Sequence, residues 1–416
     1  MKREDIVIVG NSGAAINAIK GIRRVNYGCS ITLFSQERYN AYSPVLTTYL
    51  VAGKVPRDKM TLADEDFYDH YRVERRYSQR ILSVHARDRI VSSENGTTVG
   101  YDKLLIATGS SPKRLDCEMP AGLPVFSLRT VEDAEKIRAG APTWRKVVFS
   151  GAGLVSLQIA NALRKYVERM VFIVGSDQIL SQNLDAQASS LVQKRIEAGG
   201  GIVLFNREIV GIEGSDGGVM VRTDGGDAVA GDALLVGKGV HPNIPEIVPG
   251  GMVHVHRGIL VDNRMRTSEE SIFAAGDVCE GTELLSGETR LISNWPNACL
   301  QGLVAGQNMG GGEAHFEGSL AMNVTSLFGL SFASIGEVRD NPVEKREAAS
   351  YLDESQGIYK KWVFRDDRLI GALMVGDVGE NACAAEIIRR GVSISAVRKA
   401  LTARPWEAAG VLSGLL

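Results

Sequence analysis

The sequence predicts an α/β fold containing two copies of one strand–turn–helix domain, and three stretches of the chain predict it. β-Branched runs end in glycine-rich turns at Ile6-Val7-Ile8-Val9-Gly10-Asn11-Ser12-Gly13-Ala14-Ala15 and at Val147-Val148-Phe149-Ser150-Gly151-Ala152-Gly153-Leu154-Val155-Ser156. A third run, Ile272-Phe273-Ala274-Ala275-Gly276-Asp277, lies downstream of both. One Rossmann-like dinucleotide domain needs one such turn, so two turns about 140 residues apart imply two bound dinucleotides or a duplicated domain. Two dinucleotides on one chain point to electron transfer.

In each turn a short strand feeds a tight bend and then a helix, whose free N–H groups face a pyrophosphate. Gly10 suits the bend, and Ala14 and Ala15 permit close helix packing. Ser12 stands where the middle glycine of GxGxxG usually lies, a small residue but a departure. In the second turn Gly151 and Gly153 fill the first two glycine positions and Ser156 replaces the third.

At 416 residues the chain exceeds what one core usually organises, so two or three domains are expected. Its 46 glycines favour turn-rich α/β architecture. A net charge of −2, with both signs interspersed, argues against a nucleic-acid face or a polybasic membrane anchor. The longest apolar runs fall short of a membrane span, and Met1-Lys2-Arg3-Glu4-Asp5 passes into a strand without a secretory h-region, so a cytoplasmic location is expected. Cys29, Cys117, Cys279, Cys299 and Cys383 are scattered, with no CxxC pair and no metal-ligand spacing, so no metal site and no iron–sulfur cluster is expected within the chain. His254 and His256 alternate in a stretch that reads as a strand with both rings toward solvent.

Along the chain, Ser30-Ile31-Thr32-Leu33-Phe34 reads as the second strand. Dinucleotide folds place an acid after it to hold the adenosine ribose. Here Ser35 takes that place, and Glu37, two residues on, is the candidate. Strand-like runs follow around Ile81 to Val84 and Arg89 to Val91, then Tyr101 through Ala107-Thr108-Gly109, whose small residues let backbone approach a ligand. Thr130 and Asp133 form a helix-capping pattern. The second unit runs from Val147 to about Asn243. Its strand Met170–Val174 ends without an acid, and no arginine or lysine occurs from Gly175 to Gln193 to receive a 2′-phosphate, which favours NAD over NADP. Asn294-Trp295-Pro296-Asn297-Ala298 opens a small-residue helix to Met309. Strands near Tyr359–Phe364 and Leu369–Val375, joined by Arg365-Asp366-Asp367-Arg368, read as a hairpin, followed by helical patterns at Asn381–Arg390 and Ile394–Leu401.

Taken together these segments closely resemble the FAD-dependent pyridine-nucleotide oxidoreductases of the ferredoxin reductase, rubredoxin reductase and NADH oxidase type. The resemblance is most specific in Met265-Arg266-Thr267-Ser268, Ala274-Ala275-Gly276-Asp277, Trp295-Pro296-Asn297-Ala298, Gln301-Gly302 and Asn308-Met309-Gly310. It implies an FAD domain at 1–114 and 244–318, an NAD domain inserted at 115–243, and a C-terminal α+β interface domain at 319–416. It also implies that Gly10, Gly13 and Ala14 lie against the FAD pyrophosphate, that Ala107-Thr108-Gly109 closes one side of that cofactor, and that Asp277 bonds its ribityl and pyrophosphate region. Ser12, Pro44, Gly276 and Trp295 complete the expected FAD set, and Gly151 and Gly153 serve NAD(H). The hydride chemistry belongs to the cofactors, so no protein acid or base is expected as a catalytic residue.

One departure bears on subclass. Disulfide reductases carry a CxxxxC pair, and peroxidases and many NADH oxidases one cysteine, near Tyr42 to Gly53, where this chain has none; Tyr49 stands roughly where rubredoxin-reductase-like enzymes present a lysine. The Tyr42-Ser43-Pro44 segment, with Gly10-Asn11-Ser12, is similar to flavin subunits of anaerobic complexes, including those that couple phenylglyoxylate dehydrogenase and tungsten aldehyde oxidoreductase to NAD. That implies an iron–sulfur protein or subunit as electron partner, in a hetero-oligomer or a homodimer. A free-standing NADH oxidase and a redox-sensing flavoprotein remain the alternatives.

Overall fold

The computed structural model describes residues 3–247, 253–339 and 346–415. It divides into two compact units: Met1–Leu46 with Val55–Ser111 and Val240–Leu320, and Thr47–Lys54 with Pro112–Gly239 and Ala321–Leu416.

The first unit is built on a five-stranded parallel sheet in the order 272–274, 103–106, 5–9, 30–34, 73–76. The strand Asp5–Val9 pairs with Ser30–Phe34 on one side and Lys103–Ile106 on the other. It therefore sits where the strand order reverses, the position at which open α/β sheets bind ligands beyond their carboxyl ends. The strands 5–9, 103–106 and 272–274 are apolar apart from the first residue of the first two, because both faces are covered, while the edge strand Val73–Arg76 is largely charged. The helix Gly13–Val25 crosses the helix Trp295–Met309 at backbone distance: a methyl added at Gly302 or Gly306 would overlap the Ala14 or Ala18 carbonyl. An antiparallel group, Ile81–His85, Ile90–Ser93 and Thr98–Gly100, joined by Glu246–Ile247, flanks the sheet.

The second unit repeats this plan. Its parallel sheet runs 201–205, 169–174, 146–150, 233–236, 125–126, with Lys146–Ser150 at the reversal. An antiparallel triple, Ile209–Ser215, Gly218–Thr223 and Ala228–Gly231, accompanies it. The capping pattern at Thr130 forms a complete capping box with Asp133.

The C-terminal part of that unit is a five-stranded antiparallel sheet in the order 322–327, 330–336, 368–375, 358–365, 347–353. The expected hairpin is present, Ile358–Arg365 against Arg368–Val375, with Asp366 at φ 52° in its turn. Trp362 is fully buried there and donates its indole N–H to the Pro405 carbonyl at 2.9 Å. Lys360 is buried beside Glu380 (2.6 Å) and Asp377 (2.8 Å). Burial opposes its charge, but those hydrogen bonds outweigh it and hold its pKa above the ordinary lysine value.

Two local expectations fail. The stretch at 394–401 is helical only from Arg398, because the Ile394 N–H donates to the Asp367 carbonyl (2.8 Å) and Ser393 bridges to Arg368. The chain around His254 and His256 forms a tight reversal in place of a strand: His256 N–H reaches the Gly258 carbonyl and Leu260 N–H the His254 carbonyl, both at 3.0 Å.

Candidate dinucleotide sites

In the first unit, Gly10 ends the central strand at φ +120°, a backbone region that side chains disfavour, and a Cβ there would overlap the Ala107 carbonyl. Gly13 faces the Trp295 ring, 2.8 Å from where a Cβ would sit, and Ala14 packs beside Gly276. Gly10, Gly13, Ala14, Ala107, Gly276 and Trp295 are thus brought together, although Trp295 lies far downstream in sequence. Ser12 caps the helix Gly13–Val25 by backbone position only; its side chain makes no capping bond, and no acid occupies the first turn. The first N–H groups are left to a ligand of negative charge.

Thr108 and Gly109 are held by the returning chain. Thr108 Oγ1 donates to the Asn243 carbonyl (2.5 Å), Asn243 Nδ2 donates to the Thr108 carbonyl (3.2 Å), and Asn243 N–H donates to the Gly109 carbonyl (2.9 Å). Asp277 Oδ2 accepts from Ser110 Oγ at 2.8 Å, while Gly276 N–H donates to Gln301 Oε1 at 2.8 Å. Two residues on, burial and the Asp277 charge push the Cys279 thiol up to about 12.

Glu37 keeps its carboxylate close to the loop through Tyr42, whose hydroxyl donates to Oε2 at 2.7 Å. Asn11 ties that loop to the glycine turn: its Nδ2 donates to the Tyr39 carbonyl (3.2 Å), and its Oδ1 accepts from the Tyr68 hydroxyl (2.7 Å). Burial raises the Tyr68 pKa, which keeps that donor protonated. Pro44 begins a 3-10 turn, Pro44–Leu46, just after the Ser43 N–H anchors to the Met60 carbonyl. Tyr68 and Ser110 escaped the sequence reading, and Asn11 and Asn243 entered it only as parts of longer segments, because each acts across a long chain separation. Gln301 carried a signal: with Asn297 and Asn308 it is a buried amide on a helix otherwise rich in small residues.

In the second unit, Gly151 takes φ +89°, and a Cβ there would lie 2.7 Å from the Gly237 carbonyl. Gly153 is the N-cap of the helix Leu154–Leu163, and a Cβ on it would meet nothing within 4 Å. Again no acid occupies the first turn. Ser156, standing for the third glycine, is tolerated because Gly237 opposite has no side chain to meet its Oγ. The strand Arg169–Val174 ends at Gly175 as the sequence reads, but the structure carries Glu208 to that point. Among the described residues no group of three or more His, Cys, Asp or Glu could hold a metal ion, and no helix is long and apolar enough to cross a membrane.

Comparison with known proteins agrees with this duplicated architecture. Residues 4–302 match the pyridine nucleotide-disulphide oxidoreductase family, and residues 322–392 match the rubredoxin NAD+ reductase C-terminal domain. The chain is 30% identical over 402 residues to the NADH-dependent phenylglyoxylate dehydrogenase subunit epsilon of Aromatoleum evansii, covering 96% of this chain and 94% of that one. It is 28% identical over 400 residues to the assimilatory nitrate reductase electron transfer subunit of Bacillus subtilis, but spans only 51% of that relative's length. Its fold superposes with a TM-score of 0.90 at 20% identity on the covalent putidaredoxin reductase–putidaredoxin complex, covering 100% of this chain and 99% of that one. Two uncapped helix starts at two sheet reversals, followed by a matching C-terminal domain, place this chain in the pyridine nucleotide-disulphide oxidoreductase family, as an FAD-dependent enzyme that works with NAD(H).

Proposed function

We propose that the first unit holds FAD, that the second holds NAD(H), and that the chain passes electrons between the nicotinamide and an iron–sulfur protein as the flavin subunit of a larger oxidoreductase. The observation that carries this reading is the pair of uncapped, acid-free helix starts, each beyond the central strand of its own parallel sheet. When bound, the flavin supplies hydride chemistry toward nicotinamide and single-electron chemistry toward a metal centre.

The chain's own residues bind and orient. Backbone N–H groups from Ser12 to Ala14 receive the FAD pyrophosphate, Glu37 takes the adenosine ribose, and Asp277, held by Ser110, accepts hydrogen bonds on the ribityl side. Ala107, Thr108, Gly109, Gly276, Pro44 and Trp295 shape the walls. Gly151 and Gly153 let the NAD(H) pyrophosphate reach the second helix start. The cysteine-free stretch from Gly28's neighbour Cys29 to Cys117 provides no thiol for disulfide chemistry, and the Cys279 thiol is held protonated by burial. Membership of a complex is supported by the relatives, one a dehydrogenase subunit and one an electron transfer subunit.

Anaerobic mixing of the flavin-loaded protein with NADH should bleach the flavin rapidly. Steady turnover should be fast with viologen or ferricyanide and slow in air, and iron–sulfur polypeptides should accompany the protein from its native source. Oxygen rates matching the dyes, without such polypeptides, would establish a free-standing oxidase instead; slow bleaching would establish a redox-sensing role.

A further inference from the structure

A dinucleotide fold that prefers NAD usually places a carboxylate at the end of the second strand, where it accepts the adenosine ribose hydroxyls and repels a 2′-phosphate. This chain reads Val174-Gly175-Ser176-Asp177 at that point, with glycine at the strand end. Glycine there has a steric consequence. A Cβ added to Gly175 would overlap Glu208 Oε1 and lie 2.9 Å from its carboxyl carbon, so the Glu208 carboxylate fills the space a strand-end side chain would otherwise take.

The placement is fixed from several sides. The loop after the strand Gly201–Phe205 pairs with the strand end, Arg207 N–H to the Val174 carbonyl (3.0 Å) and Asn206 N–H to the Ser176 carbonyl (3.2 Å). Glu208 itself is clamped to Asp224: its N–H donates to Asp224 Oδ1, and its carbonyl accepts from the Asp224 N–H, both at 3.0 Å. Lys238 Nζ pairs with Glu208 Oε2, leaving Oε1 over Gly175. The Glu208 side chain is 51% exposed, so it is available to a ligand. Two cations therefore approach a strand end that the linear sequence shows as free of them. Each is engaged by an acid, Lys238 by Glu208 and Arg207 by Asp227 at 2.9 Å.

We infer that Glu208, delivered from the neighbouring loop across Gly175, is the specificity-determining carboxylate for NAD(H) in the second unit, and that Lys238 positions it. The inference rests on the proposed assignment of NAD(H) to that unit. Glu208 accepts the ribose 2′- and 3′-hydroxyls, while a 2′-phosphate would meet a fixed negative charge. With Glu208 neutralised, Lys238 is released as an ammonium beside the same position, so one substitution both removes a site for NADH and creates one for NADPH.

The test is anaerobic flavin reduction by NADH and by NADPH in the FAD-loaded wild type, Glu208→Gln, Gly175→Ala, Lys238→Met and the Glu208→Gln/Lys238→Met double variant, with FAD content and thermal unfolding as checks of integrity. Glu208→Gln is close to isosteric at a half-exposed site and should fold normally. It should weaken NADH binding about tenfold and lower the NADH-to-NADPH preference by more than that, since a charged hydrogen bond is lost and a repulsion removed together. Gly175→Ala should shift the preference the same way. The double variant should lose the NADPH gain of Glu208→Gln. Normal NADH reduction with an unchanged preference in Glu208→Gln would overturn the inference alone. Failure of both nucleotides to reduce the wild-type flavin would overturn the site assignment beneath it.

Discussion

A Cβ at either glycine of the first turn would strike protein, the Ala107 carbonyl at Gly10 and the Trp295 ring at Gly13, whereas in the second turn it would strike the Gly237 carbonyl at Gly151 but nothing within 4 Å at Gly153. The two turns share a position in duplicated sheets and both lack acids at the following helix start. They differ in what is packed over them. A turn covered by its own protein suits a ligand that is enclosed once and retained, and an open one suits a ligand that arrives and leaves with each turnover.

The largest effect should come from placing one methyl in each turn. Gly10→Ala combines a disfavoured φ with overlap of a buried carbonyl and should destabilise the first unit by about 3 kcal/mol or more, read by urea unfolding. Gly153→Ala should change stability by no more than about 0.5 kcal/mol. Similar losses in both would break the contrast. Next in size, Asp277→Ala should purify with little flavin, because it removes the acceptor held by Ser110 and leaves buried groups without partners. Full visible flavin absorbance in that variant would remove Asp277 from the site. Gly153→Val should follow, raising the NADH concentration needed for half-maximal flavin reduction about tenfold while FAD content stays at the wild-type level. Loss of FAD there would show that the two turns are not independent.

The smallest effect concerns the Cys279 thiol, whose pKa is pushed up to about 12. Burial favours the neutral form, so the thiol stays protonated below that value, and raising the pH from 7 to 9 should leave it unlabelled by iodoacetamide in the native protein. Cys279→Ala should keep wild-type rates of flavin reduction by NADH. Rapid native labelling or a slowed reduction would give the closed turn a redox role it lacks here.

Much of this was legible because it is local. Runs such as Ile6–Val9 and Val147–Ser150 are buried on both faces and read as unbroken apolar strands, and a glycine turn after such a run needs no tertiary information. The capping box at Thr130 and the hairpin at Asp366 are likewise written within a few residues. What escaped is non-local. Glu208 was invisible as a strand-end acid because the loop that carries it follows the next strand, and the positive groups near Gly175 were missed because a search over adjacent residues cannot find Lys238. The pattern at 394–401 misled for a related reason: its apolar spacing suits a helix, but a hairpin carbonyl from Asp367 takes the Ile394 N–H first.

The contact of Trp295 with Gly13 also sets an order of events during synthesis. The first parallel sheet needs the strand Ile272–Ala274, and its turn needs the helix beginning at Trp295, whereas the second sheet is complete once residue 236 has been made. Structure forms as the chain emerges, so the second parallel sheet can assemble while the earlier-made N-terminal strand still waits for its last neighbour. A nascent chain stalled before residue 272 would carry a folded second sheet and an incomplete first one. On the proposed assignment of FAD to the first unit, the walls of its site are complete only once the helix beginning at Trp295 has been made.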